Sequence, residues 1–242
     1  MSVPLWVSDL AGAFWAKAQD VEPFPRNLRR PIARAVQLAV VLLPKLSVRE
    51  AMKWLRNSGM VCEFPGEERP LRACLVARRG HGFALVDGTD GDAEQRFSIA
   101  HELAHFLRDY WSVRRRITKR LGADIVEVLD GLRPPNTQER LHALLRNAAL
   151  GFHLHLMERD LDGNPASASI AQSEEDADRL TYELLAPADH VFADGVPSNT
   201  RALVEKLQRF YGLPGPQSAR YAAVLLPPKP TDPLLLRFRT AH

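Results

Sequence analysis

The sequence predicts an α+β protein, and three observations carry that reading. Apolar and aromatic residues recur at helical spacing near the N-terminus. Two short apolar runs flank a Gly-containing turn, as in a β-hairpin. The hairpin then leads into a long apolar helical stretch that contains His101-Glu102-Leu103-Ala104-His105. With 242 residues, 45% hydrophobic and 25% charged, the chain is long and apolar enough for one sizeable core, and a single domain over 1–242 is expected.

The elements follow in order. Residues 5–17 place Trp6, Leu10, Phe14 and Trp15 at helical spacing. A second helix is expected over Pro31–Leu43, with Pro31 suited to its first turn. Ser47-Val48-Arg49-Glu50 is a capping box that starts a third, which Asn57-Ser58-Gly59 ends. These helices make an N-terminal extension, 1–58. In the next section, 59–112, strands Leu71–Ala77 and Phe83–Asp87 flank Arg79-Gly80-His81-Gly82 and predict a small mixed β-sheet. A Gly- and Asp-rich loop, Asp87–Asp92, feeds the motif helix, Arg96 to about Tyr110. Residues 113–170 mix helix-like pieces with breaks at 131–135 and 160–165 and read as a helical insertion. The last section, 171–242, opens with a helix over 171–186 that Pro187 stops. It continues with an amphipathic helix over 200–211, closed by Gly212, and a shorter one over 217–225. The Pro-rich tail is irregular, with Leu234–Phe238 able to add a strand.

Composition narrows the function classes. A formal net charge of +3 is slight for this length, so direct nucleic-acid binding is not expected. The two cysteines, Cys62 and Cys74, form no spaced framework and suit buried thiols in a reducing compartment. The start of the chain lacks a basic segment followed by an apolar one, and Val36–Leu43 is far shorter than the roughly 20 residues that cross a bilayer. A cytoplasmic protein without a membrane segment is expected.

His101 and His105 stand four residues apart, on one face of a helix, so both imidazoles can reach a single cation. Glu102 points in a neighbouring direction, where it can take a proton from a water activated by that cation. The helix around them is apolar nearly all round, and burying His, Glu and His there costs free energy unless each finds a partner. A catalytic zinc ordinarily has three protein ligands. The third is sought in the helix after residue 171. There Ala177, Leu180, Thr181 and Leu184 form an inward face, Glu174 lies one turn before Ala177, and Glu175 and Asp176 point to solvent. The expected ligands of one Zn2+ are therefore His101, His105 and Glu174, with Glu102 as catalytic base. The reaction expected is hydrolysis of a peptide bond.

Arg96-Phe97-Ser98-Ile99-Ala100-His101-Glu102-Leu103-Ala104-His105-Phe106-Leu107 resembles the signature of the ImmA/IrrE family of metallopeptidases. The later block Glu174-x-x-Ala177-Asp178 to Glu183-Leu184-Leu185-x-Pro187 resembles that family's second block, in the same order. The resemblance covers about 55–112 and 170–225. It implies a zincin-like core with a helix-borne site beside a small sheet. It also implies an intracellular role in stress response or mobile-element control, with a helix-turn-helix transcriptional repressor as the protein substrate. Residue by residue it supports His101, His105 and Glu174 as ligands and Glu102 as base. The chain departs from the pattern in the long stretch between His105 and Glu174, and in Asp109, where many members carry another His.

Other signals are weaker. His153 and His155 alternate with apolar residues. On a strand they would share a face and could form a second metal pair, but the plainer reading is half-exposed residues of the insertion. His142 has no evident partner. Arg114-Arg115-Arg116 with Lys119-Arg120 reads as a solvated helical face. Tyr182 and His190 are candidates for stabilising an oxyanion, and the sequence does not choose between them. Residues 200–225 have a helix-turn-helix flavour and read as a packing or partner-recognition segment. Two alternatives to a peptidase are a zinc-bound interaction module with little turnover and a DNA-binding regulator.

Overall fold

The computed structural model describes residues 3–60, 67–141, 148, 150–156, 167–195, 197 and 199–227. Cys62, His142, the expected break at 160–165 and the expected strand at Leu234–Phe238 lie outside them. The described residues form an α+β architecture around a four-stranded mixed sheet.

Helix α1, Leu5–Ala18, buries Val7, Ala11, Phe14 and Ala18, while Trp6, Leu10 and Trp15 flank that line half-buried. The helix expected over Pro31–Leu43 is instead two elements. Helix α2 covers Arg29–Ala35 and strand β1 covers Leu38–Leu43. The reason is in Leu38-Ala39-Val40-Val41-Leu42-Leu43, a short continuous apolar run whose period suits a buried strand as well as a helix. Pairing with a central strand decides the matter. Helix α3, Val48–Asn57, shows the Ser47 half of the expected capping box, the Ser47 hydroxyl accepting the Glu50 N–H at 3.3 Å.

Strands β2, Ala73–Arg78, and β3, His81–Asp87, form the hairpin. Its two loop residues, Arg79 and Gly80, both have positive φ (52° and 83°), the conformation that matches the twist of two paired strands. Strand β1 runs parallel to β3, from Leu38 opposite Gly82 to Leu43 opposite Asp87. The fourth strand, β4 (Phe152–His155), comes from the stretch expected to be a helical insertion, and it pairs antiparallel with β2. The sheet order is β1-β3-β2-β4.

Side chains alternate across this sheet, so both faces bury apolar groups. Leu75, Ala77, Ala84 and Val86 face the main core, with α1, α2 and the helices of the motif and the later acidic block. Cys74 and Leu85 face a second cluster with Leu46, Val48 and Ala51 of the α3 region.

Helix α4, Asp92–His105, starts four residues earlier than the sequence predicts. It passes without a break into a π-helical segment, Phe106–Trp111, and then into α5, Ser112–Leu121. Gly82 of β3 allows its close approach, because a Cβ there would lie 2.8 Å from both the Phe106 ring and Leu38. Two short helices follow, α6 (Ile125–Leu129) and α7 (Thr137–Leu141). Helix α8, Ala168–Leu185, packs on α4 through the buried Ala177, Leu180, Thr181 and Leu184, the face the sequence predicts. Helix α9, Ala188–Val191, leads to α10, Thr200–Arg209, and α11, Gly215–Leu225, which pack on each other. Among the described residues, no helix is long and apolar enough to cross a membrane.

Candidate metal centre

Helices α4 and α8 and strand β4 bring the site together. His101 and His105 project from consecutive turns of α4, with His105 fully buried. Glu174 projects from the second turn of α8 and is also buried. The Nε2 atoms of the two imidazoles are 3.2 Å apart. Glu174 places one carboxylate oxygen 3.3 Å from His101 Nε2 and the other 3.5 Å from His105 Nε2. For bonds of about 2.0–2.1 Å to a tetrahedral zinc, neighbouring ligand atoms lie roughly 3.3 Å apart. These contacts use both Glu174 oxygens; taking one donor atom from each residue, the three lie within 4.8 Å of one another and form a group able to hold a metal ion.

The opposite ring nitrogens fix the tautomers. His101 Nδ1 lies 3.1 Å from Asp178 Oδ1, and His105 Nδ1 lies 2.8 Å from Asp109 Oδ2. An ionised carboxylate can only accept, so each Nδ1 carries a proton, and a ring that gives up its Nε2 proton to a metal offers that nitrogen as a lone pair. Asp109 is held in turn by Arg108, whose guanidinium donates to both of its oxygens at 2.6 and 2.9 Å and also to the Ser173 carbonyl at 2.7 Å. This arrangement ties the π-helical segment to α8. The turn residue Gly80 donates its N–H to the Tyr110 hydroxyl at 2.7 Å, which ties the segment to the hairpin as well.

Glu102, 3% exposed, faces the same space from α4. The residue that sequence reasoning left outside the site is His155. It lies on β4, its Nδ1 3.3 Å from Glu102 Oε2 and its Nε2 2.8 Å from Glu174 Oε1. Its ring stacks on that of His105 with centroids 3.4 Å apart. The His-x-His alternation was the available signal, but a strand pairing with β2 was needed to say where it pointed. His153 is on the same strand, near the Tyr110 ring, and among the described residues it belongs to no group of three or more metal-ligating side chains.

The electrostatics follow from burial and acids. Burial pulls the His101 imidazole down, but the hydrogen bonds to Asp178 and Glu174 outweigh it and raise its pKa to about 10. His155 is lowered by burial and raised more by Glu102 and Glu174, to about 9. His105 goes the other way, well below the ordinary value, through burial and the neighbouring His155 and His101. Glu174 is raised by burial, yet its bonds to His101 and His155 bring it well below the usual carboxylate range. The pocket therefore demands positive charge, and without a cation, protons on imidazole supply it.

The remaining candidates lie apart or nearby. Tyr182 is on α8, one turn beyond Asp178, and burial pushes its phenol up. His190 packs in an aromatic cluster with Phe24, Phe210 and Tyr211, its Nδ1 2.8 Å from the Tyr211 hydroxyl. In the basic cluster, Arg114 pairs with Asp130 at 2.7 Å and Arg115 lies over the Trp111 ring. Comparison of the chain with protein-family models, with curated proteins and with solved structures finds no match.

Proposed function

We propose that the protein is a zinc-dependent endopeptidase with a zincin-like core, in which His101, His105 and Glu174 hold the metal and Glu102 is the general base. One observation carries this reading: one donor atom from each of His101, His105 and Glu174 gathers within 4.8 Å, the two imidazole nitrogens 3.2 Å apart, while both imidazoles have the other nitrogen bound to a carboxylate. Two nitrogens and one oxygen are the donors that zinc favours, and three protein ligands leave room for a fourth. Zinc held there supplies a Lewis acid that acidifies water and polarises a scissile carbonyl.

The chain's own residues account for the rest of the chemistry. Glu102 takes the proton of the attacking water and delivers it to the leaving amide nitrogen. His155 orients Glu102 through the Nδ1 contact to Oε2. Asp178 and Asp109 hold the ligand rings in their tautomers, and Arg108 fixes Asp109. The family resemblance extends the reading to a cytoplasmic protein substrate, a helix-turn-helix repressor.

The test is metal analysis of the purified protein combined with Glu102→Gln. The variant is expected to retain one zinc per chain and to lose peptide cleavage by about 10²-fold or more. Unchanged cleavage in the variant would remove Glu102 from the mechanism, and absence of bound metal in the wild type would remove the reading altogether.

A further inference from the structure

Beside the metal centre, between α8, α11 and the residues that lead into α1, lies a cleft of about 530 Å³. Its lining takes in Glu174 and Asp178 as well as the apolar Val3, Pro4, Val224 and Leu225. Its wall includes Tyr182 and Tyr221, whose rings stack nearly parallel with centroids 4.3 Å apart. The two phenols differ in one respect. The Tyr221 hydroxyl donates to the Ala186 carbonyl at 3.0 Å, whereas the Tyr182 hydroxyl is buried and has no hydrogen-bond partner among the described residues. A buried hydroxyl left unpaired costs free energy, and native structures keep few of them without a use.

The charged residues along the cleft carry both signs, and Arg179 is already bonded to Glu175 and Asp176. Glu174 and Asp178 face the His101 imidazole, so the charges left over are Glu183 and Arg220, one of each sign, and no single-sign field selects a charged ligand. Val224 is 48% exposed, although it is apolar and lies at the cleft. The volume falls within the range of clefts that hold ligands of a few residues' size, roughly 300–1,000 Å³.

We infer that this cleft is the substrate subsite of the peptidase: it takes a large apolar side chain next to the scissile bond, and the Tyr182 hydroxyl donates to a backbone carbonyl of the bound peptide. The inference rests on the peptidase reading, because it makes continuity of the cleft with Glu174 and Asp178 the reason a peptide lies there. A leucine or phenylalanine side chain covers Val3, Val224 and Leu225 from solvent, and the peptide backbone gives Tyr182 the acceptor it lacks.

The experiment uses the zinc-loaded full chain and blocked, fluorescein-labelled hexapeptides of Gly and Ser with one variable residue, Ala, Leu, Phe or Lys. Binding is read by fluorescence anisotropy on Glu102→Gln, and cleavage by chromatography on the wild type. The Leu and Phe peptides are expected to bind roughly tenfold or more tightly than the Ala peptide. Val224→Trp, a substitution at a half-exposed position, is expected to abolish that preference. Tyr182→Phe is expected to weaken every peptide about fivefold or more while leaving the melting temperature undiminished, since the hydroxyl it removes has no partner to lose. Side-chain preference in Glu102→Gln without any cleavage by the wild type would uphold the cleft and remove the peptidase. Cleavage of Ala and Leu peptides at equal rates, with binding indifferent to Val224→Trp and Tyr182→Phe, would overturn the cleft assignment and leave the peptidase standing.

Discussion

His101 and His105 each give one ring nitrogen to a carboxylate, but the two acids come from different places. Asp178 reaches His101 from the facing helix α8, and Asp109 reaches His105 from one turn further along its own chain segment. Asp178→Asn and Asp109→Asn are each expected to lower zinc affinity about 10–100-fold while leaving the fold intact, measured by competition against a chelator. In the proposed zinc site, protons compete with the metal at the same atoms. His101 in the metal-free protein is raised to about 10 and His155 to about 9, above the ordinary value of 6.5. Their contribution to the stability of that form is complete below 6.5 and is lost as pH rises through 9 and 10. Zinc needs His101 neutral, so binding at neutral pH is expected to release protons and affinity to increase with pH. Calorimetry of zinc binding in buffers of different ionisation enthalpy checks this, and an enthalpy independent of buffer would refute it.

At the scale of elements, local sequence speaks most clearly where one helix face carries the whole message. The inward face of α8 and the cap of α3 were legible because neighbouring residues define them. The pair His101 and His105 was legible for the same reason. Strand β1 was not, since Val40 and Val41 in a short apolar run suit either a buried helix or a strand paired with β3. His155 was invisible for a related reason. The partners of β4 are residues of β2 far away in sequence, and only that pairing turns the imidazole toward Glu102 and Glu174. The contact between sheet and motif segment is equally specific. Gly82→Ala places a methyl group 2.8 Å from Phe106. It is expected to destabilise the fold by about 1–3 kcal/mol, read from urea unfolding, with a wild-type m-value.

For the whole molecule, the site depends on three parts of the chain that meet only in the folded state: the α4 motif, β4 and α8. Strand β4 is four residues long and, among the described residues, forms the edge of the sheet and pairs with β2 alone. Its last residue is nonetheless bonded to both Glu102 and Glu174. Fraying of that rim therefore withdraws the imidazole from Glu102, and under the proposed peptidase reading sheet closure and catalytic readiness become one equilibrium. Amide hydrogen exchange at Phe152–His155 then reports the competent population. Exchange there is expected to quicken in His155→Ala and to track turnover across variants of the strand.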